Sequence, residues 1–323
     1  MSTPQIHAAV LHGVGQTPRY ELFPAPAAGD GEAVVAVTAA ALKPADRLMA
    51  EGVHYAPAAF PHVVGLDGVG RLVDGTRVAF FGPQRPYGGM AEQALVRDGG
   101  WFPVSDGVDD VTAAALLNPG MAAWKTVVWE GELAAGQTVL VLGATGASGR
   151  IATRLAKRHG ARVIAAGRNR RILDQLVADG ADAAVSVDRP HDELAAAVAA
   201  EGPYDLIVDY LWGAPAEAVF AALMRGDRRP GDAARRIRYV LVGMTAGEVA
   251  GLPAMALRKA PVQLIGSGTG GRVPPADAAA AFAALLQQAA AGELLLNTEA
   301  VPLADVAETW ARTDSDRRIV FVP

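Results

Sequence analysis

The chain has 323 residues, of which 51% are hydrophobic, and its formal net charge at pH 7 is −5. That length can form two domains with separate cores, whereas the negative charge gives no general attraction for nucleic acid. Cysteine is absent, which excludes disulfides and metal sites that depend on thiolate ligands.

Neither an export signal nor a membrane-spanning segment is expected. The first residues, MSTPQIHAAVLHG, lack the basic region followed by an apolar stretch that marks a signal peptide. The most apolar long stretch, residues 276–296, is interrupted by charged and amide side chains, so it is predicted to be an amphipathic surface helix. We therefore expect a soluble protein of the cytoplasm.

Residues 1–115 do not read as alternating strands and helices. Short β-like runs at 33–37, 63–72 and 77–81 are separated by glycine, proline and aspartate. Short runs between turn-forming residues are typical of antiparallel sheets. This part of the chain is therefore predicted to form a compact, mostly antiparallel β domain.

Residues 116–135 are predicted to be helical, and strands and helices then alternate. Buried strands are expected near 138–142, 162–166, 183–187, 204–209, 237–243 and 261–265. Helices are expected between the first five strands, near 149–159, 169–179, 191–201 and 214–225. This alternation predicts the α/β class with a doubly wound parallel sheet. Six such strands form the architecture that binds a dinucleotide across their carboxyl ends.

The pattern changes again towards the end of the chain. A short helix is expected at 255–260 and a longer one near 276–291. Two strand-like pieces, 297–302 and 318–322, follow and are expected to rejoin the N-terminal β domain.

The predicted organisation is therefore discontinuous. A β-rich catalytic domain takes residues 1–115 and 266–323, and a nucleotide-binding domain takes residues 116–265. The second domain is inserted into the first.

The strand at 138–142 leads directly into a glycine-rich turn. The turn reads Gly143-Ala144-Thr145-Gly146-Ala147-Ser148-Gly149, and apolar residues then recur at helical spacing. The first glycine allows the sharp turn, the second lets the backbone approach a pyrophosphate, and the third lets the helix pack closely on the strand. Amides and the dipole at the helix start favour phosphate. The predicted cofactor-binding residues are Gly143, Thr145, Gly146, Ala147, Ser148 and Gly149.

The alternative for this stretch is an ordinary turn between a strand and a helix of an α/β protein. The spacing is G-x-x-G-x-x-G rather than the strict G-x-G-x-x-G. The strand before it and the helix after it favour the cofactor site.

The second strand of this unit ends in Gly167-Arg168-Asn169-Arg170-Arg171. NAD sites usually place an acidic residue here to hold the ribose hydroxyls. Arginine instead suits the 2′-phosphate of NADPH. One charge-assisted hydrogen bond contributes about 1.5–3 kcal/mol, which corresponds to a preference of about ten- to a hundredfold. We predict that Arg168 and Arg171 bind this phosphate and that Asn169 adds a neutral donor; the alternative is a solvated helix start.

Four stretches of the chain are similar to motifs of one known superfamily. ALKPAD at 41–46 is similar to "LNPAD", FPHVVGLDGVG at 60–70 to "FPxVxGxDxxG", YGGMAE at 87–92 to "GGYAEY", and LADV at 303–306 with RRIV at 317–320 to "LxDV … GKxV". In their order and spacing they resemble the medium-chain dehydrogenase/reductase superfamily, and within it the zinc-independent quinone oxidoreductases related to zeta-crystallin. The likeness runs from about residue 7 to residue 322.

This resemblance implies a GroES-like catalytic domain, a Rossmann domain and NADPH as the cofactor. It also implies a homodimer formed through the edge of the nucleotide-domain sheet, for which the strand at 261–265 is the candidate. The ends of the fourth, fifth and sixth strands are expected to contact the nicotinamide, although turn formation is the alternative role for their glycines. The candidates are Tyr210, Gly243, Met244, Gly266, Ser267 and Gly268.

The chain departs from this family at several positions. Leu66-Asp67 stands where zinc-dependent members have a His-Glu pair, so no catalytic metal is expected. Lys43 replaces the usual asparagine of the "LNPAD" segment, and Met121-Ala122-Ala123 replaces "xTA". Both replacements are expected near the nicotinamide, because these segments lie there in relatives.

A carbonyl acceptor needs its oxygen stabilised and a proton supplied. Tyr55 lies in a segment that resembles the family's "GxY" element beside the substrate, with one extra residue, and is the first candidate for hydrogen-bond donor. Lys43 and Asp46 are candidates for a further polar contact. For Asp46 a helix-start cap is the favoured alternative. In relatives the proton can come from water, so a protein acid is not required.

These features predict an enzyme that transfers hydride from NADPH to a quinone or another α,β-unsaturated carbonyl. An enoyl-thioester reductase of the same superfamily is one alternative. Another is a non-enzymatic NADPH-binding sensor or nucleic-acid-binding protein, because six arginines lie between 225 and 238; a solvated loop is the favoured interpretation of that cluster. A short-chain reductase is disfavoured because no tyrosine is followed four residues later by lysine.

Overall fold

The computed structural model describes residues 4–225, 236–268, 274–294, 296–313 and 317–323. The chain divides into two units, one formed by Met1–Asn118 with Pro274–Pro323 and the other by Pro119–Val273. The divisions fall after residues 118 and 273, whereas the sequence predicts them after residues 115 and 265. The Ser267 amide, beyond the last parallel strand, still donates to the carbonyl oxygen of Leu241 in that sheet.

The strands in the described residues are β1 Gln5–Leu11, β2 Arg19–Pro24, β3 Glu32–Ala41, β4 His62–Val63, β5 Asp67–Arg71, β6 Arg77–Phe81, β7 Gln93–Arg97, β8 Trp101–Pro103, β9 Thr138–Leu142, β10 Arg162–Gly167, β11 Ala183–Ser186, β12 Leu206–Asp209, β13 Ile237–Leu241, β14 Val262–Gly266, β15 Thr298–Pro302 and β16 Arg318–Val322. The helices there are α1 Pro44–Ala50, α2 Asp110–Trp124, α3 Ala147–Arg158, α4 Arg170–Ala178, α5 His191–Ala200, α6 Gly213–Arg225, α7 Ala254–Lys259, α8 Pro275–Ala290 and α9 Val306–Thr309. A π-helical segment, Lys125–Trp129, continues α2, and a 3₁₀ turn, Leu303–Asp305, precedes α9. Within these ranges no helix combines the length and apolar character needed to cross a membrane.

In the first unit the long strand β3 organises a mostly antiparallel sheet. It pairs with β5, β7 and β16, and the sheet continues through β5 to β6 and β8 and through β16 to β15. Val320 of β16 lies opposite Ala41 of β3, so the last described residues complete a sheet that the N-terminal part begins. A smaller sheet in the described residues has the strand order β2-β1-β4.

Four strands, β1, β2, β7 and β8, have no counterpart among the strands expected from the sequence. Their residues include alanine, glutamate and proline, which have weak β propensity. Pairing with neighbouring strands stabilises them instead; for example, β7 is held along β3 from Glu32↔Arg97 to Ala36↔Gln93.

A hydrophobic cluster surrounds the point at which β3 passes into α1. Leu42 and Met49 pack there with Val64, Trp310 and Phe321, and all five are buried. This packing removes the residues at the start of α1 from solvent.

The second unit has the predicted α/β fold with a parallel sheet, and that prediction is confirmed. In the described residues the strand order is β11-β10-β9-β12-β13-β14. β9 pairs in parallel with both β10 and β12, so the chain winds away from β9 first in one direction and then in the other. A crevice at the carboxyl end of the strands opens at such a reversal and is the usual place for a ligand.

β14 forms one edge of this sheet and is unusually exposed. Leu264 is 43% exposed, and Met255 and Leu257 of the neighbouring α7 are 47% and 46% exposed. Strands of parallel sheets are normally covered on both faces. This apolar edge is therefore a candidate contact surface for another chain.

Candidate cofactor and active site

The turn between β9 and α3 is shaped by its glycines. Gly143 has φ +90°, and a Cβ on Gly149 would lie 2.2 Å from the carbonyl oxygen of Gly143. Position 149 therefore has to lack a side chain for α3 to begin this close to β9. Gly146 is the N-cap of α3 and provides no side-chain cap, so the first amides of the helix are left to other acceptors.

Thr145 joins this turn to the end of β10. A Cβ on Gly167 would lie 2.5 Å from the Cγ2 atom of Thr145, so the two segments touch only because position 167 is glycine. Arg150 of α3 donates from Nε to the carbonyl oxygen of Thr145 at 3.1 Å. The glycine turn is thereby placed beside Arg168, the residue that follows β10.

The predicted phosphate-binding residues lie at the start of α4. Arg168 and Arg171 are exposed. Asn169 is the N-cap, and its Oδ1 accepts from the amide of Ile172 at 3.3 Å. Asn169 therefore has a capping role in addition to any contact through its amide nitrogen, and two guanidinium groups follow the strand at the place where NAD sites have a carboxylate.

Asp209, which is not among the site residues predicted from the sequence, shapes the end of β12. It is fully buried; its Oδ1 accepts from the amides of Leu211 and Trp212 at 2.7 and 3.0 Å, and its Oδ2 accepts from the Tyr239 hydroxyl at 2.7 Å. Burial raises the pKa of Asp209, against these three hydrogen bonds. A carboxylate that ends a buried apolar strand is the sequence signal for such a role.

The candidates at the ends of β12, β13 and β14 lie in three segments, each of which contacts its neighbour. A Cβ on Gly243 would lie 2.6 Å from the carbonyl oxygen of Tyr210, and the Ser267 amide donates to the carbonyl oxygen of Leu241 at 2.7 Å. Met244 is 39% exposed. The close approach at Gly243 leaves backbone, rather than side chains, at this edge of the sheet.

Lys43 and Asp46 belong to a buried cluster with Asp67. The Lys43 ammonium donates to Asp67 Oδ1 at 2.8 Å, to Asp46 Oδ2 at 3.1 Å and to the carbonyl oxygen of Ala41 at 3.0 Å. Asp46 also accepts from the amides of Lys43 and Leu66 at 2.9 and 3.0 Å. Because Lys43 is 2% exposed and Asp46 is 0% exposed, these contacts favour a structural role over contact with a substrate.

This cluster balances charges inside the first unit. Burial raises the pKa of Asp67, whereas the attraction of Lys43 opposes the rise. Arg318 of β16 interacts electrostatically with both Asp67 and Asp46. Lys43 is thus the cation that bonds both carboxylates directly, and Arg318 adds a second positive charge in the same region.

Tyr55 lies in the segment after α1. It has φ +55°, which is uncommon for a residue with a side chain, and it is 36% exposed. Its ring centroid lies 3.9 Å from that of His54, and its carbonyl oxygen accepts from Arg85 Nη2 at 3.0 Å. The Tyr55 residue is therefore partly exposed on a segment whose backbone is bonded by Arg85.

No family model matches the chain. A probable NADPH-dependent quinone reductase, tdiC, of Emericella nidulans is 30% identical over 233 residues, which are 67% of this chain and 62% of that protein. The quinone oxidoreductase of Pongo abelii is 29% identical over 143 residues, which are 42% of this chain and 44% of that protein. The chain thus spans less than two thirds of the length of the curated relatives it matches.

Among solved structures, the quinone oxidoreductase of Thermus thermophilus, also solved in complex with NADPH, is 26% identical with a TM-score of 0.78. The match covers 98% of this chain and 100% of that one. The chain belongs to the medium-chain dehydrogenase/reductase superfamily, in its quinone oxidoreductase branch.

The described residues of this medium-chain dehydrogenase/reductase contain no group of three or more histidine, aspartate or glutamate side chains that could hold a metal ion. Lys43 stands where the resembling quinone oxidoreductases usually have asparagine. The substitution introduces a cation in place of a neutral amide, and its Nζ bonds carboxylate oxygens of both Asp46 and Asp67.

The arginine-rich stretch is only partly within the described residues. Arg228, Arg229 and Arg235 lie outside them. Arg225 pairs with Asp192 at 2.9 Å, and Arg238 pairs with Glu132. These ion pairs favour a role in the protein's own structure for Arg225 and Arg238.

Replacement of Lys43 by methionine is expected to destabilise the protein by about 3–5 kcal/mol, because two buried carboxylates lose their shared cation. Lys157→Met, which breaks the surface pair with Asp182 at 2.7 Å, is the matched control and is expected to cost less than about 1 kcal/mol. Urea unfolding measures both. Equal losses of stability in the two variants would contradict the role assigned to the cluster, and Asp67→Asn combined with Lys43→Met is expected to recover part of the loss.

Proposed function

We propose that this protein is an NADPH-dependent oxidoreductase that transfers hydride to a quinone or another α,β-unsaturated carbonyl without a metal ion. The observation that carries the proposal is the pair of exposed arginines that follows β10. They lie next to a glycine turn in which the first amides of α3 have no side-chain cap. The similarity to a probable NADPH-dependent quinone reductase supports the same cofactor and acceptor class.

The residues at the glycine turn fit a dinucleotide. The space next to Gly146 is open, because a Cβ built there would meet its nearest atom, the carbonyl oxygen of Gly143, only at 3.5 Å. The amides at the start of α3 and the backbone of Gly146 would hold the pyrophosphate in this space. Ala147 and Ser148 provide the first helical amides. Arg168 and Arg171 would pair with the 2′-phosphate, with Asn169 beside them.

The other end of the cofactor is assigned to the segments after β12, β13 and β14. When bound, NADPH supplies a hydride from C4 of its nicotinamide. The backbone at Tyr210, Gly243 and Met244 and at 266–268 would orient this ring. Main-chain groups are suited to the carboxamide because they donate and accept in fixed directions.

The acceptor oxygen is assigned to Tyr55 as hydrogen-bond donor, because its phenol is partly exposed on a segment with an uncommon backbone conformation. Lys43 and Asp46 would act only by fixing the residues around them. Metal-independent chemistry is supported by Lys43, because its ammonium is bonded to both Asp46 and Asp67 and would repel a metal ion there. A location in the cytoplasm stays a prediction.

The partner of the chain is proposed to be a second copy. An edge strand carries unpaired backbone groups, and β14 adds exposed apolar side chains to them. A twofold axis beside β14 would pair this strand with its copy and cover the same patch on both chains.

The purified protein is expected to oxidise NADPH in the presence of a simple quinone, followed as loss of absorbance of the reduced nicotinamide. Tyr55→Phe is expected to lower kcat by about tenfold or more, because the developing charge on the acceptor oxygen loses a donor. Enones and enoyl thioesters are tested in parallel. If the protein binds NADPH but turns over none of these acceptors, the proposed enzymatic function is refuted and a non-enzymatic NADPH-binding sensor is favoured.

Arg168→Ala and Arg171→Ala are each expected to weaken NADPH binding by about ten- to a hundredfold, because one charge-assisted hydrogen bond to the 2′-phosphate is lost. The affinity for NADH is expected to stay unchanged. Arg170→Ala is the matched control, since Arg170 is exposed on the same turn. Calorimetric titrations with both cofactors measure the effect, and a parallel loss of NADH affinity would argue against recognition of the 2′-phosphate.

Light scattering at micromolar concentration is expected to show a homodimer, and Leu264→Asp is expected to give a monomer because a charge would be buried at the edge of β14. Val177→Asp on α4 is the control, since Val177 is 41% exposed and lies away from that strand. A wild-type monomer, or a dimer that survives Leu264→Asp, would contradict the proposed interface.

A further inference from the structure

The π-helical segment Lys125–Trp129 contacts the segments that follow two strands of the parallel sheet. The Lys125 ammonium donates to the carbonyl oxygen of Gly268 at 2.6 Å, beyond β14. Thr126 Oγ1 lies 3.3 Å from the hydroxyl of Tyr210, beyond β12. Neighbouring residues of one short segment thus reach both places to which the nicotinamide is assigned.

The widened helical turn supports this geometry. The Glu130 amide donates to the carbonyl oxygen of Lys125 at 2.8 Å, which is the i→i+5 bond of a π-helix, and such turns occur frequently at functional sites. The sequence predicts one continuous helix over 116–135, because a π turn keeps the apolar pattern of the α-helix and changes only the backbone bonding.

Thr126 determines the direction of its bond to Tyr210. The Thr126 hydroxyl lies 3.0 and 3.2 Å from the carbonyl oxygens of Ala122 and Ala123. It has one proton to donate, so this proton goes to the preceding helical turn and the Tyr210 hydroxyl is the donor to Thr126. Burial raises the pKa of Tyr210, which keeps the phenol protonated for that bond.

Lys125 is held in turn by Glu130. Its Nζ lies 3.3 Å from Glu130 Oε1, and the two side chains are 17% and 18% exposed. The carbonyl oxygen of Glu130 accepts from Arg238 Nη1 of β13 at 3.0 Å. The segment is therefore bonded to residues on or beyond all three of β12, β13 and β14, and the ammonium that bonds Gly268 has little freedom to leave it.

We propose that Lys125 is a positioning residue that fixes the 266–268 segment for the nicotinamide. This rests on the proposed function, because the ring has to bind at that segment. The Ser267 amide is already bonded to β13 through Leu241, and Lys125 bonds the carbonyl oxygen of the next residue, Gly268. Loss of the ammonium would loosen one wall of the nicotinamide site and leave the phosphate-binding turn unchanged.

The test compares Lys125→Met and Lys125→Arg with the wild type, with Lys157→Met as the matched control on α3. We expect Lys125→Met to bind NADPH within about threefold of the wild type while kcat falls by about ten- to a hundredfold, as misplacement of reacting groups does. Lys125→Arg, which keeps a charged donor, is expected to restore most of kcat. Lys157→Met is expected to behave as the wild type.

A second measurement does not depend on turnover. Hydrogen–deuterium exchange of the peptide that contains 262–268, in the protein without cofactor, is expected to be faster in Lys125→Met than in the wild type or Lys157→Met. If Lys125→Met does not fold, Lys125→Gln, which retains a donor without the charge, takes its place in both measurements.

Unchanged kcat together with unchanged exchange in Lys125→Met would overturn the proposal, as would equal losses of kcat and NADPH affinity. If the wild type binds NADPH but reduces no acceptor, the proposed function fails by itself. The role of Lys125 is then decided by hydrogen–deuterium exchange at 262–268 and by the fluorescence of bound NADPH. If both change in Lys125→Met, the positioning role is supported, and if either stays unchanged, it is refuted.

Discussion

The close approach between α3 and β9 is the constraint on which the proposed cofactor site depends. A Cβ on Gly149 would lie 2.2 Å from the Gly143 oxygen and 2.6 Å from Cα of Ala144, distances that a real side chain does not adopt. The helix can start this near the strand only if position 149 has no side chain, and its first amides then open at the carboxyl edge of the sheet. Because β10 and β12 flank β9, the chain also reverses its winding at this point. One packing requirement thereby creates an anion-binding helix start at the crevice of the sheet.

The first unit depends on a buried cation rather than on a close backbone approach. Lys43 would be costly to bury alone, but its three hydrogen bonds include two carboxylates, and Asp46 in turn accepts the Leu66 amide just before β5. The cluster therefore joins α1 and the start of β5, which are about 20 residues apart in sequence, and the charge of Arg318 on β16 acts on it as well. A neutral residue at position 43 would leave Asp46 and Asp67 without the cation that bonds them both. Lys43 and Asp67 are best understood as a matched pair.

The sequence predicted the parts of the structure that local patterns control. The βα units, the glycine turn and the exposed arginines after β10 follow from periodicity and from residue types within a short stretch. The role of Lys43 did not follow, because its partner Asp67 is 24 residues away and only the fold brings them together. The bond from Tyr239 to Asp209 likewise crosses from β13 to β12, so this partner could not be predicted even though the carboxylate at the end of the strand is visible in the sequence. The π turn at Lys125 leaves no mark in the apolar pattern at all.

The two ends of the proposed cofactor site differ in whether local or long-range contacts build them. The groups assigned to the phosphates lie between 143 and 171, within one βαβ unit, so a single contiguous segment carries them. The groups assigned to the nicotinamide come from the ends of β12, β13 and β14, and hydrogen bonds between distant residues, including those from the π-helical segment, hold them in place. Substitutions in any of these segments can alter the nicotinamide end without changing the glycine turn. Relatives of low identity are therefore expected to share the cofactor more widely than the acceptor, and the acceptor is correspondingly harder to predict from motifs.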